Sequence, residues 1–146
     1  LTMKCEFCES TGIKERVIIK NSHAMAFPTN IPLAKGHVLV CPTRCVSKID
    51  ELKEAEVGAI FDLIKGIKNA LKKTYDAKAC NIAWNEGAEA GQNIKHLHIH
   101  VVPRKGGNKK ILGYDPRQFL YGRKENRKIV SEKEMKSVSR LIRKNL

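Results

Sequence analysis

The chain has 146 residues, and its 42% hydrophobic and 29% charged residues fit a globular domain with a buried core rather than a disordered chain. No apolar run approaches the roughly 20 residues that cross a bilayer, and the first five residues lack the apolar core of a signal peptide. We therefore expect a cytoplasmic protein with no membrane partner. The net charge of +13 is concentrated from Arg104 onward, where 14 basic residues accompany 4 acidic ones, and it favours anionic partners.

The hydrophobic pattern predicts an antiparallel meander in the first part of the chain. Two short strands, 16–20 and 23–27, flank a turn at Asn21-Ser22, and a β-branched strand follows at 37–41. Apolar side chains then recur every three or four residues between 53 and 75, which indicates an amphipathic helix with its apolar stripe in the core. That stripe comprises Val57, Ile60, Phe61, Ile64, Ile67 and Leu71.

The second half of the chain returns to strand patterns and ends in a helix. Strands are predicted at 79–84 and 95–102. Ser131 and Glu134 form a capping box in front of a final amphipathic helix, whereas residues 105–130 show no clear periodicity.

These elements predict a single α+β domain. Its antiparallel sheet of about five strands is accompanied by one long helix, between the third and fourth strands, and by a C-terminal helix. The domain is expected to span residues 1–146, with 105–146 as a basic C-terminal extension of the same domain.

Three histidines alternate with apolar residues in the predicted strand at 95–102. His96, His98 and His100 should point to one side, because successive side chains in a strand alternate between faces. A single histidine in an apolar strand is more often structural. Three in strict alternation are costly as core filling, since each ring brings two polar nitrogens that need partners, and this favours a catalytic or metal-binding role.

The sequence around these histidines resembles the histidine-triad superfamily. Asn85-Glu-Gly87 and Gly91-Gln92 precede the triad, Pro103-Arg104 follows it, and Gly36-His37-Val-Leu-Val-Cys-Pro42 looks like the second conserved strand of that family. The likeness covers residues 5–104. The sequence near His37 and the triad is most similar to the fragile-histidine-triad branch, the diadenosine polyphosphate hydrolases.

The resemblance implies a nucleotide hydrolase or transferase that cleaves an adenosine-containing dinucleoside polyphosphate at the α-phosphate. His98 would attack phosphorus and form a nucleotidyl-histidine intermediate, which divides one difficult displacement into two easier ones. His100 would hydrogen-bond the phosphate oxygens, Gln92 would orient the phosphate and leaving group, and His37 would lie beside the nucleotide. Members of the family form homodimers through the long helix and neighbouring strand edges, so a homodimer is expected here.

Five further residues are implied as substrate contacts. Asn85 would support the phosphate pocket, and Gly91 would let backbone N–H groups approach the phosphate. Two departures from the family pattern occur. Thr29, with Asn30 beside it, stands where the family has an acidic or amide residue that binds ribose, and Asn93 replaces the usual Ser or Thr after the glutamine.

Five cysteines form an odd number, which favours a metal site or buried thiols over a disulfide framework. The pair Cys5-x-x-Cys8 is a redox pair, a metal site or two unrelated thiols when taken alone. Zinc-containing members of the superfamily combine such a pair with the first triad histidine and a histidine after the second strand, where this chain has Cys45. The resemblance therefore implies a structural zinc site of Cys5, Cys8, Cys45 and His96, and leaves Cys41 and Cys80 as buried thiols.

Several alternatives stay open at this point. A nucleoside phosphoramidase or a diadenosine polyphosphate phosphorylase would use the same histidine adduct but another substrate or second nucleophile. A nucleotide-binding protein without turnover is a third possibility. Nucleic-acid binding has only the basic segment in its favour, since 5% aromatic residues offer few platforms for base stacking.

Overall fold

The computed structural model describes residues 4–105 and 129–146. The described part contains a five-stranded antiparallel sheet in the order β1-β2-β3-β5-β4, four α-helices and two short 3-10 turns at Ile49–Glu51 and Ala88–Ala90. The strands are β1 (Ile19–Lys20), β2 (Ala24–Pro28), β3 (Val38–Pro42), β4 (Ala79–Ala83) and β5 (Ile99–Arg104), and the helices are α1 (Glu6–Glu9), α2 (Thr11–Glu15), α3 (Glu54–Tyr75) and α4 (Glu132–Arg143). The predicted α+β class, with one long and one C-terminal helix, is confirmed. None of the described helices is both long and apolar enough to span a membrane.

The predicted hairpin is present, but its first strand is shorter than expected. Asn21 Oδ1 accepts hydrogen bonds from the backbone N–H groups of His23 (3.1 Å) and Ala24 (2.8 Å), which fixes the turn. Strand β1 covers only two residues, because Arg16 ends helix α2 instead of beginning a strand. The Arg16 side chain is buried and its Nε donates to the Pro28 carbonyl at 3.1 Å, so a tertiary contact determines this boundary.

Helix α3 matches its predicted range, but its buried face is rotated relative to the predicted stripe. Leu63 is buried with the isoleucines and Leu71, whereas Val57 and Phe61 are 40% and 52% exposed. The prediction that Val57 and Phe61 belong to the core is wrong. The periodicity shows that an apolar face exists, but the contact with the sheet decides which side of that face is covered.

The register of β3 and β5 separates two faces of the sheet. Val38 pairs with Val101 and Val40 with Ile99, and all four side chains join α3 in the main core. Leu39 points the other way, into a second cluster with Phe7, Ile13, Phe27 and Cys41. His100 pairs with Leu39 and therefore lies on this second face, opposite α3.

Strand β5 begins four residues later than predicted. Its ladder starts at Ile99, and the Leu97 N–H donates instead to the Val46 carbonyl at 2.7 Å. His96 therefore lies in a bend and His98 directly precedes the strand. Leu97, Ile99 and Val101 are nevertheless buried, so the predicted alternation of apolar and histidine side chains holds without a complete strand.

The C-terminal helix α4 packs against the N-terminal part of the chain. Ser131 Oγ accepts a hydrogen bond from the Glu134 N–H, as the predicted cap requires, and Ser139 Oγ donates to the Arg16 carbonyl at 2.6 Å. Met135 and Ile142 are buried. Of the predicted basic extension 105–146, residues 106–128 lie outside the described residues, so its extent and the boundaries 1–146 stay predictions.

Gly36 occupies a position where a side chain has no room. Its φ is +88°, and a Cβ atom added there would lie 2.6 Å from Cε2 of the Tyr75 ring. We expect Gly36→Ala to lower the free energy of unfolding by about 2–5 kcal/mol, from the positive φ and the ring clash together. Gly58→Ala is the matched control, since nothing lies within 4 Å of its added Cβ in helix α3, and it should stabilise by about 0.5–1 kcal/mol. Equal urea midpoints for the two variants would contradict this account.

An ion pair between the exposed Arg44 and the buried Glu56 connects the segment after β3 to the start of α3. Arg44 donates from Nε and Nη2 to the two carboxylate oxygens of Glu56 at 2.7 and 2.8 Å, and Glu56 also accepts from the Lys53 N–H. These hydrogen bonds, with that of Arg44 the largest, lower the pKa of Glu56 from 4.5 to about 2. Between pH 2 and pH 4.5 this carboxylate binds more protons in the unfolded chain than in the folded one. The contribution of the ion pair to the free energy of unfolding is therefore complete above pH 4.5 and is lost as the pH falls towards 2.

Glu56→Gln is therefore expected to lower stability at neutral pH and to reduce the loss of stability between pH 4.5 and 2. Chemical unfolding at a series of pH values measures both effects. Glu54→Gln is the control, because Glu54 is an exposed carboxylate in the same first turn of α3. The assignment fails if the two variants show the same pH profile.

Candidate functional site

Four of the five histidines form a row on the sheet face opposite α3. The ring centroids of His98 and His100 are 5.1 Å apart. The ring centroid of His37, the residue directly before β3, is also 5.1 Å from that of His100. His96 joins the row through Phe7, whose ring is 5.6 Å from His96 and 5.3 Å from His98. The structure thus brings together the whole predicted histidine set.

His96 presents one nitrogen to a cluster of sulfur atoms. Its Nε2 lies 2.7 Å from the Pro42 carbonyl oxygen, which can only accept, so Nε2 carries the proton. Nδ1 is therefore the unprotonated nitrogen of the neutral ring, and it lies 3.2 Å from Cys5 Sγ and 3.6 Å from Cys8 Sγ. Burial lowers the pKa of His96 and favours this neutral form. This orientation suits a metal ligand.

The same reasoning assigns the opposite tautomer to His98. Its Nδ1 lies 2.8 Å from the His96 carbonyl oxygen and must donate to it, which leaves the lone pair on Nε2. Burial lowers the pKa of His98, and the bond to the carbonyl only partly opposes this shift. His98 is therefore a neutral imidazole with a nucleophilic Nε2 near neutral pH.

A hydrogen-bonded chain also assigns the tautomers of His37 and His100. The Leu33 N–H donates to Nδ1 of His37 at 3.1 Å, so the proton of the neutral His37 ring is on Nε2. Nε2 of His37 donates in turn to Nδ1 of His100 at 2.9 Å. The proton of His100 is consequently on its own Nε2, which makes that nitrogen a hydrogen-bond donor.

The four predicted metal ligands meet in one place. The sulfur atoms of Cys5, Cys8 and Cys45 and a ring nitrogen of His96 all lie within 4.8 Å of one another. Tetrahedral zinc with bonds of about 2.0–2.3 Å needs ligand atoms roughly 3.5–3.8 Å apart, so small side-chain movements complete the geometry. Three sulfurs and one imidazole form a donor set that zinc favours, and the residues fit this metal.

The three thiols compete for negative charge. Burial raises the pKa of Cys5, but hydrogen bonds from the neighbouring thiols and backbone outweigh it and leave the pKa lowered. Burial and the neighbouring Cys5 raise the pKa of Cys8, and they raise the pKa of Cys45 to about 12. Negative charge on one sulfur therefore disfavours ionisation of the other two, and a divalent cation would let all three ionise.

Gln92 connects two loops. Its Oε1 accepts from the Gly87 N–H at 2.8 Å, and its Nε2 donates to the Ser47 carbonyl at 3.0 Å. Asn85 lies beside Gly91, because a Cβ added at Gly91 would be 3.5 Å from the Asn85 amide nitrogen. Gly91 has a φ of +86°, a conformation that glycine adopts without strain.

The predicted ribose contacts lie at the end of β2, near His37. The Thr29 N–H donates to the His37 carbonyl at 3.3 Å, and Oγ1 of the buried Thr29 accepts from the Ile31 N–H. Asn30 is exposed, and its carbonyl accepts from the Val130 N–H at 2.8 Å. Asn93 is exposed.

Cys41 is buried as predicted, whereas Cys80 is only partly buried, so the prediction of a buried thiol at Cys80 is wrong.

The sequence analysis missed three groups of the site. Phe7 contacts two histidines, and its place between Cys5 and Cys8 is a signal that could have indicated this. The Leu33 N–H and the Pro42 carbonyl orient two histidine rings. These are backbone groups, and no residue type identifies them in a sequence.

Residues 10–107 match the family model of the HIT domain. The chain belongs to the HIT family. It is 32% identical over 93 residues to the asymmetrical bis(5'-nucleosyl)-tetraphosphatase of Schizosaccharomyces pombe; this match covers 64% of the chain and 51% of that protein, so the chain spans about half the length of this relative.

Two solved structures show the same fold as this HIT protein. The Plasmodium falciparum diadenosine triphosphate hydrolase in complex with cyclomarin A superimposes with a TM-score of 0.73 at 26% identity, over 99% of the chain and 84% of that protein. A zinc-bound histidine triad family protein from Mycobacterium smegmatis has a TM-score of 0.73 at 24% identity, over 98% of the chain and 93% of that protein.

Proposed function

We propose that this HIT protein is a nucleotide hydrolase that cleaves dinucleoside polyphosphates at the α-phosphate through a nucleotidyl-His98 intermediate. The observation that carries the proposal is the tautomer of His98, whose Nδ1–H is bonded to the His96 carbonyl so that Nε2 holds the lone pair. The S. pombe relative is named as a bis(5'-nucleosyl)-tetraphosphatase and the P. falciparum structure as a diadenosine triphosphate hydrolase, and both names support this substrate class.

In the first step, Nε2 of His98 attacks the α-phosphorus. A P–N bond forms while the bond from phosphorus to the bridging oxygen breaks, and the other nucleotide leaves with that electron pair. In the second step, water attacks phosphorus, the electrons of the P–N bond return to Nε2, and the proton that the water loses is released to solvent. His100 donates from Nε2 to a phosphate oxygen, where it offsets the charge that develops in both transition states.

The remaining predicted residues are proposed as substrate contacts. Asn85 and Gly91 form one side of the phosphate pocket, with Asn93 beside them. Gln92 orients the phosphate and leaving group, for which it must exchange at least one of its bonds to Ser47 and Gly87. Thr29 and Asn30 contact the ribose, and the hydrogen bond between Thr29 and His37 keeps that end of the pocket next to the histidines.

We also propose that Cys5, Cys8, Cys45 and His96 bind a structural zinc ion. When bound, the metal supplies a cross-link between the N-terminal segment and the histidine row, and no reaction step uses it. The zinc-bound M. smegmatis structure and the clustered donor atoms support this role. All five cysteines are unpaired, which supports a reducing, cytoplasmic location.

A homodimer is proposed through β4 and the adjoining side of α3. Strand β4 is an edge strand, and α3 packs on β2, β3 and β5. Ile82 pairs with Val101 and therefore lies on the α3 side of the sheet, where it is 40% exposed; Trp84, directly after β4, is 38% exposed. Val57 and Phe61 are exposed on α3, so both the open strand edge and the helix offer apolar side chains to a partner.

Phe61→Glu is expected to convert the dimer to a monomer, because it places a charge among the apolar side chains of the proposed contact. Sedimentation equilibrium measures the mass of each species. Leu141→Glu is the control, since Leu141 is exposed to a similar degree but lies on α4. A monomeric unmodified protein, or a dimer that survives Phe61→Glu, would contradict the proposed interface.

The proposed function is tested by incubating the protein with diadenosine triphosphate, diadenosine tetraphosphate and adenosine phosphoramidate. Intact-protein mass spectrometry after rapid acid-free quenching should show an added adenylyl group with the dinucleotides. Faster turnover of the phosphoramidate would indicate a phosphoramidase, and release of ADP only when inorganic phosphate is present would indicate a phosphorylase. Tight binding of all three compounds without turnover would contradict the enzyme assignment.

A further inference from the structure

Phe7 is the residue of the N-terminal segment that reaches the nucleophile. It lies in the single turn of α1, between Cys5 and Cys8, and is 4% exposed. Its ring packs edge-on against His98, with centroids 5.3 Å apart and an interplanar angle of 75°. The same ring contacts His96 at 5.6 Å and Phe27 at 5.2 Å.

Among residues 4–105 and 129–146, one hydrogen bond and two ring contacts hold the His98 ring. One hydrogen bond, from Nδ1 to the His96 carbonyl, leaves the ring able to tilt about that bond. His100 is a second ring neighbour, 5.1 Å away at 68°. Two edge-to-face neighbours and one hydrogen bond together define the direction of the Nε2 lone pair.

The position of Phe7 does not come from the helix that carries it. A helix of four residues has negligible stability of its own. Phe7 is held by the ring of Phe27, which is fully buried, and by the two flanking cysteines, whose sulfur atoms belong to the cluster with His96. Phe7 therefore connects the cysteine cluster to the nucleophile: its neighbours in the chain belong to the cluster, and its ring contacts His98.

We propose that Phe7 is a positioning residue for the reaction: its ring, held between two cysteines of the metal cluster, sets the orientation in which His98 attacks phosphorus. This inference rests on the proposed function. It assigns to the N-terminal segment a role in the chemical step in addition to metal binding. Loss of the ring should slow attack on phosphorus while substrate binding changes little, because His100 and the loop residues that would bind substrate keep their own contacts.

Phe7→Leu tests the proposal, with Phe27→Leu as the matched control. Both changes remove a buried ring from the same cluster, but Phe27 is in ring contact with Phe7 and not with His98. For Phe7→Leu we expect the single-turnover rate of adduct formation to fall by about 10- to 100-fold, with KM altered less than about threefold and bound zinc unchanged. For Phe27→Leu we expect a lower Tm and a smaller fall in the adduct rate than in Phe7→Leu, because the two flanking cysteines still hold the Phe7 ring beside His98. Equal loss of rate in both variants, or an unchanged rate in Phe7→Leu, would overturn the proposal.

A spectroscopic measurement keeps this test separate from the proposed function. The edge contact with Phe7 shifts the ring C–H resonances of His98, and that shift should disappear in Phe7→Leu and persist in Phe27→Leu. If the unmodified protein forms no adduct, the proposed function fails and the NMR comparison still decides the placement of His98 by Phe7. If His98 resonances are the same in Phe7→Leu and the unmodified protein, the positioning role is wrong whatever the substrate.

Discussion

His98→Ala is expected to abolish the nucleotidyl adduct and to lower the hydrolysis rate by about 10⁴-fold or more. The reason is that Nε2 of His98 forms the P–N bond, and neighbouring rings cannot replace it. His96 directs its unprotonated nitrogen to the sulfur cluster, and His100 accepts from His37 through its own Nδ1. Intact-protein mass spectrometry and steady-state assays with diadenosine tetraphosphate measure the two losses.

His23→Ala is the control for this experiment, because His23 is an exposed histidine of the β1–β2 turn. Its activity should equal that of the unmodified protein. His98→Ala should keep its Tm and its bound zinc, since neither the sulfur cluster nor the main core uses the His98 side chain. Adduct formation by a correctly folded His98→Ala protein would contradict the proposed mechanism.

The second large effect is expected at the metal cluster. If zinc is present at about 1,000 times its Kd, its binding stabilises the fold by roughly 4 kcal/mol, and its removal should lower Tm by roughly 8–16 °C. Cys45→Ser should cause the same loss without a chelator, because a hydroxyl is a poor zinc ligand. Cys45→His should retain zinc, since an imidazole nitrogen completes the same tetrahedron. Calorimetry measures the Tm of each variant, and metal analysis measures its bound zinc.

Cys80→Ser is the matched cysteine control, as Cys80 lies on β4 outside the cluster. It should keep both zinc and Tm. Loss of zinc is also expected to slow adduct formation, because the His96 carbonyl and the Phe7 ring both contact His98. A chain that binds no zinc, or a Cys45→Ser variant with unchanged zinc affinity, would contradict the four-ligand site.

Local patterns predicted most of the fold. The turn at Asn21, the cap at Ser131 and the long helix 53–75 depend on residues close together in the chain, and all three are present. The start of β5 and the exposure of Phe61 were predicted incorrectly. Both depend on which distant segment packs against the element, and periodicity carries no information about that.

Most side chains of the candidate site were predictable from the sequence, although Phe7 was not. Alternation predicts that His98 and His100 share one face, and the resemblance to the histidine-triad family implies Cys45 as a candidate metal ligand; the structure brings its sulfur into the same cluster as His96. Which ring nitrogen carries the proton in His37, His96, His98 and His100 follows only from the folded chain. That choice depends on the Leu33 N–H and on the carbonyls of Pro42 and His96. Every residue carries a backbone carbonyl, and every residue except proline carries an N–H, so the effect of these groups on a ring appears only when the chain has folded around it.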